Sequence, residues 1–410
     1  MDTSGEPPLM TPSHTFTSVQ RLLVLMLLCG VSFASGLVMS SIGPTIPELA
    51  RRLAITPGGL GALFAALFLG TLCGQCVTFL WADRVGLRPV LALGLILYGS
   101  ATIGLALSGS MIGVMLTALG MGVGWGFAGL AVNVLPRQIT ARRLSVALNL
   151  VNFWYAAGAI VGPLLVAFTL RNLQSAAAAL YVGGALLLAG VPIAALLAPR
   201  GPTVASATPH TTQQPLQSSP LLWTLGVLAF LYVGIENGTG GWTPTYLMRT
   251  LAFDEARAAS NTALFWIALC GGRLLGTLFG MRVGARVLLR WSLVGAVSGS
   301  VLFLAAVGHR PSTLLGLMLV GAAFGPIYAS LVELVTSAFP GRPSAAMSLA
   351  SALGGIGGMV LPWLQGVSLE RFGGRAMGGV LLAAAVGMAV CATLAARADA
   401  SARRPYLPPR

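Results

Sequence analysis

Long apolar runs recur twelve times along the chain, separated by short segments that carry most of the charged residues. A helix needs about 20 apolar residues to cross the hydrocarbon core of a bilayer. Helices also satisfy their backbone hydrogen bonds within one segment, as lipid requires. The pattern therefore predicts an all-α membrane protein with twelve transmembrane helices, at 22–47, 57–82, 88–108, 110–135, 144–168, 175–198, 221–247, 258–280, 287–308, 312–338, 344–368 and 376–397.

The widest polar break divides these runs into two groups of six. Residues 201–220 are rich in Thr, Ser, Pro and Gln and carry no Asp, Glu, Lys or Arg, which is typical of a flexible linker. We therefore expect two pseudo-symmetric six-helix bundles joined by a cytoplasmic linker. The predicted segments are a cytoplasmic tail 1–21, a bundle 22–200, the linker 201–220, a bundle 221–398 and a cytoplasmic tail 399–410.

An internal repeat supports this division. The stretch 83–91 recurs 198 residues later as 281–289, with five matches in nine positions: Arg84/Arg282, Val85/Val283, Gly86/Gly284, Arg88/Arg286 and Leu91/Leu289. The same offset pairs Gly36 with Gly234 and Gly43 with Gly241, and an offset of 199 pairs Gly158 with Gly357. Two parallel repeats related by an axis along the membrane normal place a substrate site between the halves, near the middle of the bilayer.

Composition narrows the classes of function. Hydrophobic residues make up 56% of the chain and charged residues 8%, with a mean hydropathy of +0.85. All 24 basic residues are Arg, so a Gly-Lys phosphate loop and a Schiff-base lysine are both excluded. These arginines fall singly or in pairs between apolar runs and form no dense basic patch, which argues against a nucleic-acid-binding protein. The three histidines lie far apart in a tail, the linker and a short loop, so we expect no metal site, no cofactor and no catalytic centre.

Arginine bias predicts the orientation. With both termini inside, fifteen arginines fall on the cytoplasmic side and eight on the outer side, and Arg273 is left within the membrane. Cytoplasmic loops of membrane proteins carry such an excess. We expect a multi-pass protein of the plasma membrane, in bacteria the inner membrane, that works as a monomer with a small-molecule substrate and the lipid bilayer as its partners.

The loop Leu80-Trp-Ala-Asp-Arg-Val-Gly-Leu-Arg88 resembles the cytoplasmic signature loop of the major facilitator superfamily. The resemblance implies alternating access, with Asp83, Arg84 and Arg88 as a gating clasp that breaks when the halves rock. Three further strings, 230–247, 148–163 and 354–363, resemble the fucose–galactose–glucose permease group and its orphan relatives. That resemblance implies sugar carriage.

A sugar site needs amide groups for hydroxyls and flat rings for the apolar faces of the ligand. Either role has a structural alternative: an amide can join two helices, and a ring can belong to the core or to an interfacial belt. The candidate substrate-binding residues are Trp125, Asn133, Asn149, Asn152, Tyr155, Asn237, Trp242, Tyr328, Trp363 and Gln365.

Three charges are placed within the bilayer, away from the predicted helix ends: Glu236, Arg273 and Glu333. Each costs about 2.5–3.5 kcal/mol at mid-membrane if it is unpaired. Similar depths, counted from the predicted helix ends, favour an ion pair of Arg273 with Glu333. Glu236 then lies without a nearby arginine and is the candidate for proton coupling, the alternative being a carboxylate that hydrogen-bonds substrate or caps backbone amides.

Helix seven is the predicted outer gate. Gly238, Gly240 and Gly241 follow Glu236 closely and precede Pro244, a combination that favours local unwinding of the helix.

These observations favour a secondary active or facilitative carrier of a small polar solute, a sugar first of all, with proton coupling open. One alternative is an efflux carrier for amphipathic or drug-like compounds. A non-transporting receptor or a channel is the alternative of another class, and the duplicated loop argues against the channel.

Overall fold

A computed structural model describes residues 18–139, 144–197 and 219–402, and within these ranges it contains helices and no strand. The helices of the first half are α1 (Ser18–Arg52), α2 (Ala62–Val85), α3 (Leu87–Leu107), α4 (Met111–Ile139), α5 (Leu144–Leu173) and α6 (Ala177–Leu197), with a short 3-10 helix, Pro57–Gly61, before α2. The helices of the second half are α7 (Pro220–Leu251), α8 (Glu255–Val283), α9 (Ala285–Ala305), α10 (Arg310–Phe324), α11 (Ile327–Ala338), α12 (Pro343–Phe372) and α13 (Gly374–Ala402).

Twelve of the resulting spans are long and apolar enough to cross a membrane, so the predicted fold class is confirmed. The tenth span, Arg310–Ala338, is broken into α10 and α11 at Gly325 and Pro326. A proline inside a helix removes one backbone donor and clashes with the preceding turn. The predicted eleventh and twelfth helices are therefore α12 and α13.

The spans alternate in direction, so α1 begins and α13 ends on the same side, which we call the terminal face. The turns from α2 to α3 and from α8 to α9 also lie there. The opposite side, with the turns from α1 to α2 and from α7 to α8, is the distal face. The predicted linker and tails lie almost wholly outside the described residues, so their boundaries stay predictions.

Glycines set the packing inside each half. In the first half a Cβ on Gly36 would overlap the Tyr155 carbonyl of α5, and one on Gly158 would overlap the Phe33 carbonyl of α1. Small residues let transmembrane helices approach this closely.

The second half repeats the arrangement. A Cβ on Gly234 of α7 would overlap the Gly357 carbonyl of α12, and one on Gly357 would overlap the Phe230 carbonyl. These are the repeat-related counterparts of Gly36 and Gly158. The sequence repeat therefore corresponds to one type of helix contact that occurs in both halves, between α1 and α5 and between α7 and α12.

Between the halves, Gly43 of α1 lies directly against Gly241 of α7, and a Cβ on Gly43 would overlap the Gly241 carbonyl. The two positions are related by the repeat offset of 198 residues. A contact between symmetry mates lies on the pseudo-twofold axis, so this glycine pair marks that axis near the distal face.

Candidate functional site

An ion pair lies close to the middle of the second half. Arg273 Nη2 of α8 donates to Glu236 Oε1 of α7 at 3.1 Å. The Glu236 side chain is 12% exposed and that of Arg273 is 37% exposed. Each residue lies within about 6 Å of the midpoint of its helix, at 1.5 Å per residue. Pairing offsets the cost that either charge would have alone at this depth.

The predicted pair of Arg273 with Glu333 is wrong. Glu333 is exposed on α11, five residues from the terminal end of that helix, while Arg273 bonds Glu236. Depth counted from helix ends does not tell which way a side chain points around the helix axis. The long arginine side chain also spans the difference in depth between Arg273 and Glu236. The premise that Glu236 has no nearby arginine fails for the same reason.

The break in the tenth span holds Arg273 in place. Gly272 and Gly325 let α8 and the end of α10 touch, since a Cβ on Gly272 would overlap the Ala322 carbonyl and one on Gly325 would overlap the Arg273 backbone nitrogen. The backbone of Arg273 is therefore fixed by a direct contact with the interrupted helix.

Tyr232 connects that break to the ion pair. Its hydroxyl donates to the Phe324 carbonyl at 3.1 Å, which satisfies an acceptor at the end of α10. The same hydroxyl lies beside Glu236 and Arg273. Sequence analysis missed Tyr232, although its position four residues before Glu236 puts both side chains on one face of α7.

Aromatic rings from both halves lie near the pair. Tyr155 of α5, in the other half, is close enough to interact electrostatically with both charges, and its ring packs against that of Trp125 of α4 with a centroid distance of 5.9 Å. On the other side Tyr328 of α11 stacks on Tyr232 at 6.1 Å. The structure thus brings together three of the predicted site residues, Trp125, Tyr155 and Tyr328.

The predicted amides bond within their own helices. Asn133, Asn152 and Asn237 each donate through Nδ2 to the carbonyl four residues earlier, at 2.7, 2.9 and 2.8 Å. Such a bond uses one amide hydrogen and leaves the other hydrogen and the amide oxygen for another partner. Asn152 lies one turn from Tyr155 on the same face of α5, and the exposed Asn149 lies nearer the terminal end.

Two predicted binding residues are buried between α7 and α12. Trp242 Nε1 donates to the Pro362 carbonyl at 2.6 Å, and Gln365 Nε2 donates to Thr239 Oγ1 at 3.4 Å. Both residues have no exposed surface, so their assignment to a substrate site is corrected to helix packing. Trp363 lies against Gly61 at the distal start of α2, away from the ion pair.

The expected unwinding of helix seven is also wrong, because α7 continues through Pro244. Its glycines instead allow close contacts with neighbouring side chains. At Gly238 a Cβ would overlap Gln365 Oε1. At Gly240 it would lie 2.6 Å from the Trp266 ring, and at Gly241 it would lie 2.5 Å from the Phe64 ring. Packing against these neighbours keeps the segment helical.

The signature loop lies at the terminal face. Arg84 is exposed in the last turn of α2, and Arg88 is partly exposed in the first turn of α3. The Asp83 side chain lies outside the described part of the structure, so the clasp of Asp83, Arg84 and Arg88 stays a prediction.

The halves are closed against each other towards the distal face. Besides the contact of Gly43 with Gly241, Arg51 at the end of α1 forms an ion pair with Glu255 at the start of α8. Phe64 of α2 packs against Trp242 of α7 with centroids 6.1 Å apart. Sequence analysis did not single out Arg51 and Glu255 as a contact.

The contacts between the halves continue from the distal face to about the middle of the helices and end there. The deepest of them joins Leu72 of α2 to Gly355 of α12, about 18–20 Å from the terminal ends of both helices. Below that level Asn149, Asn152 and Tyr328 are exposed. The ion pair therefore lies at about the depth where these contacts between the halves end.

Known proteins resemble the chain over most of its length. The family model of the Major Facilitator Superfamily matches residues 28–342. Multidrug resistance protein D of Escherichia coli is 32% identical over 150 residues, which are 36% of either chain. Sodium-dependent glucose transporter 1 of Danio rerio is 24% identical over 424 residues, 89% of this chain and 68% of that protein.

Solved structures show the same fold. A bacterial homologue of the human lysosomal transporter Spinster, in an inward-facing and occupied conformation, has a TM-score of 0.77 at 15% identity and covers 96% of this chain and 100% of its own. A D-xylose–proton symporter has a TM-score of 0.74 at 16% identity, covering 91% and 97%. Given the family match and the twelve spans, the chain belongs to the major facilitator superfamily and is a multi-pass membrane transporter, not an enzyme.

Proposed function

We propose that this transporter carries a small polar solute with several hydroxyl groups, a sugar first of all, by alternating access between its halves. The observation that carries the proposal is the ring-lined ion pair of Glu236 and Arg273. Charged groups form stronger hydrogen bonds to hydroxyls than neutral groups do, and the rings of Tyr155 and Tyr328 can cover the apolar faces of a sugar.

The terminal face is the cytoplasmic face in this proposal. Fifteen arginines belong to that side and eight to the other, in line with the positive-inside rule. With that orientation the described conformation is closed outside and open inside. Both termini then lie in the cytoplasm, in bacteria on the inner side of the inner membrane, and substrate leaves or enters the site past Asn149 and Asn152.

Proton coupling through Glu236 takes a different form from the one expected of an isolated acid. While the pair of Glu236 and Arg273 is intact, both groups are charged and satisfied. Protonation of Glu236 neutralises the carboxylate and frees the guanidinium of Arg273, which is 37% exposed, to bind a substrate hydroxyl. Substrate and proton then favour the same state of the pair, which is the requirement for coupling.

Export of amphipathic compounds is the second candidate. It is supported by two ring pairs, Trp125 with Tyr155 and Tyr232 with Tyr328, and by the partial likeness to a protein named for multidrug resistance. Flat apolar cations can stack on such rings. The two candidates differ in whether affinity depends on hydroxyl groups or on ring area.

Thermal stabilisation of the purified protein tests the substrate class, because a ligand that binds the folded state raises its stability. Hexoses, pentoses, polyols and nucleosides are compared with cationic dyes, in the wild type and in Tyr155→Phe and Trp125→Ala. A sugar should stabilise the wild type, and Tyr155→Phe should weaken the effect. Stabilisation by dyes alone, lost in Trp125→Ala and kept in Tyr155→Phe, would replace the sugar proposal with efflux.

Proteoliposomes test the coupling. Glu236→Gln should keep substrate exchange and lose accumulation driven by a pH gradient, because the amide cannot take up the proton. Glu333→Gln is the matched control, since Glu333 lies in the same half and does not bond Arg273. Accumulation by Glu236→Gln under a pH gradient alone would remove Glu236 from the coupling step.

A further inference from the structure

The indole of Trp266, near the middle of α8, has a buried N–H group without a hydrogen-bond partner. No acceptor among the described residues lies within hydrogen-bonding distance of its Nε1, although this atom is shielded from solvent. Buried tryptophan N–H groups usually find a partner, and a buried donor that is left unpaired destabilises the folded state. Trp242 of α7 follows the usual pattern, since its Nε1 donates to the Pro362 carbonyl at 2.6 Å. The unpaired N–H of Trp266 therefore needs an explanation other than helix packing.

Trp266 differs from the other buried polar groups that lack a partner in the described part of the chain. Those groups belong to Thr245, Tyr246, Ser330 and Gln365. The hydrogens of the three hydroxyl groups can rotate towards an acceptor, and Gln365 keeps a bond to Thr239 through its Nε2. An indole has one donor, in a direction that the ring fixes. The N–H of Trp266 is therefore the group of this set that depends most on an acceptor from outside the chain.

Trp266 lies beside the ion pair of Glu236 and Arg273, on its distal side. Two helical turns separate Trp266 from Arg273, so both side chains leave the same side of α8. The Trp266 ring also packs against Gly240 of α7, where a Cβ would lie 2.6 Å from it, and Gly240 is one turn distal to Glu236. Counted along the two helices, the indole lies about 6–11 Å from the pair.

The first half has other residues at all of these positions. By the repeat offset of 198 residues, the second-half residues Glu236, Gly240, Trp266 and Arg273 correspond to Val38, Ile42, Phe68 and Gln75. Ile42 and Phe68 are both buried, so this place in the fold can be filled without an N–H group. The glycine of the second half makes room for the larger indole. The indole N–H thus occurs in the half that also carries the ion pair.

We propose that the N–H of Trp266 donates a hydrogen bond to an acceptor oxygen of the transported solute, so that Trp266 determines specificity. The inference rests on the proposed function, because it takes the ion pair as the place where a hydroxylated solute binds. The charges hold the solute on one side, and the indole meets it on the distal side. A site with such a donor rejects analogues that lack the oxygen, since the donor is then left unpaired again.

Contact with the N–H requires a small movement. Nε1 is shielded in the described conformation, whereas Trp266 as a whole is partly exposed. The bond therefore forms when the indole turns towards the solute or when the halves close around it.

Trp266→Phe removes the N–H and installs the ring that the first half has at the matching position. The full-length wild type and variant are compared for thermal stabilisation by D-glucose, D-galactose and D-xylose and by the monodeoxy analogues of each sugar. For the sugar that stabilises the wild type most, Trp266→Phe should weaken binding by about threefold to tenfold, the loss expected for one hydrogen bond. One monodeoxy analogue should bind the wild type as weakly, and Trp266→Phe should cause no further loss for that analogue.

Trp242→Phe is the matched control, because the N–H of Trp242 already has a partner in the chain. It should keep the wild-type affinity for the sugar and lower the unfolding temperature of the sugar-free protein more than Trp266→Phe does. If Trp266→Phe does not fold, 3-benzothienylalanine incorporated at position 266 gives the same comparison, because sulfur replaces the N–H in a ring of the same shape.

Three outcomes would overturn the inference. A sugar that stabilises the wild type and Trp266→Phe equally would remove the hydrogen bond and leave the proposed function standing. The same factor of loss for the sugar and for all of its monodeoxy analogues would assign the indole to ring packing alone. If none of the sugars stabilises the wild type, the proposed function fails and this inference fails with it.

Discussion

The two halves of the transporter share their glycine contacts and differ in their charges. Every described charged residue of the first half lies within five residues of a helix end, as Glu48, Arg84 and Arg171 do. The second half carries Glu236 and Arg273 near the middle of the membrane. Both copies have thus kept the same helix contacts, whereas the described charges near mid-helix are found in the second half. Under the proposed function, the charged part of the substrate site therefore belongs to the second half.

The largest expected effect comes from breaking the charge pair. Arg273→Met should lower the free energy of unfolding by about 2–3 kcal/mol, below the range of about 3–5 kcal/mol for fully buried pairs because Arg273 is 37% exposed. The double variant Glu236→Gln/Arg273→Met should recover much of the loss. Thermal unfolding of all four proteins in a double-mutant cycle measures the coupling.

The control for this cycle is Glu333→Gln combined with Arg273→Met, whose losses should add. Coupling of Arg273 to Glu333, with additive losses at Glu236, would contradict the charge arrangement on which the comparison of the halves depends.

Because both halves use the same glycine contact, we expect a glycine-to-alanine substitution at that contact to destabilise either half equally. Gly158→Ala and Gly357→Ala each place a methyl group against a backbone carbonyl of a neighbouring helix, so each should cost about 1–3 kcal/mol by overpacking. Gly30→Ala and Gly379→Ala, where nothing lies within 4 Å, should cause no loss. Thermal unfolding in one detergent compares all four, and a large difference between Gly158→Ala and Gly357→Ala would show that the halves pack by different rules.

The smallest effect is expected at the distal contact between the halves. Arg51→Ala removes an ion pair whose arginine is 60% exposed, worth no more than about 1 kcal/mol. Since the pair joins α1 to α8, its loss should raise the population that is open at the distal face by up to about fivefold. Distances between spin labels at the distal ends of the two halves measure this.

Arg52→Ala is the matched control, because Arg52 pairs with Glu48 in its own helix at 2.9 Å. Its distance distribution should stay that of the wild type. The same shift in both variants would mean that loss of a distal positive charge, and not loss of the contact, opens the halves.

The fold could be predicted from the sequence almost completely. The number and approximate bounds of transmembrane helices follow from the apolar runs along the chain, without knowledge of which way each side chain points. The predicted helix 57–82, for example, agrees with the observed span Pro57–Ala82. The interruption at Pro326 was not predicted, since a proline can also remain inside a continuous helix, as Pro244 does in α7.

The site was predicted only in part, because it depends on directions around each helix axis. Trp125, Tyr155 and Tyr328 were found by residue type. The predicted partner of Arg273 was wrong because depth alone favoured Glu333, whereas the direction of each side chain around its helix axis brings Arg273 to Glu236. Trp242 and Gln365 were misplaced because a polar tip can be satisfied by a carbonyl or hydroxyl of the neighbouring helix, here Pro362 and Thr239.

The contact of Gly43 with Gly241 has a consequence for how the two copies could diverge. Repeat mates that do not touch can change independently of each other. Gly43 and Gly241 touch: a side chain at Gly43 would overlap the α7 backbone at Gly241, and a side chain at Gly241 would meet the Phe64 ring of α2 in the same contact region between the halves. A substitution at either position therefore constrains which residues the other position tolerates. Homologous transporters should keep small residues at both positions or change both together.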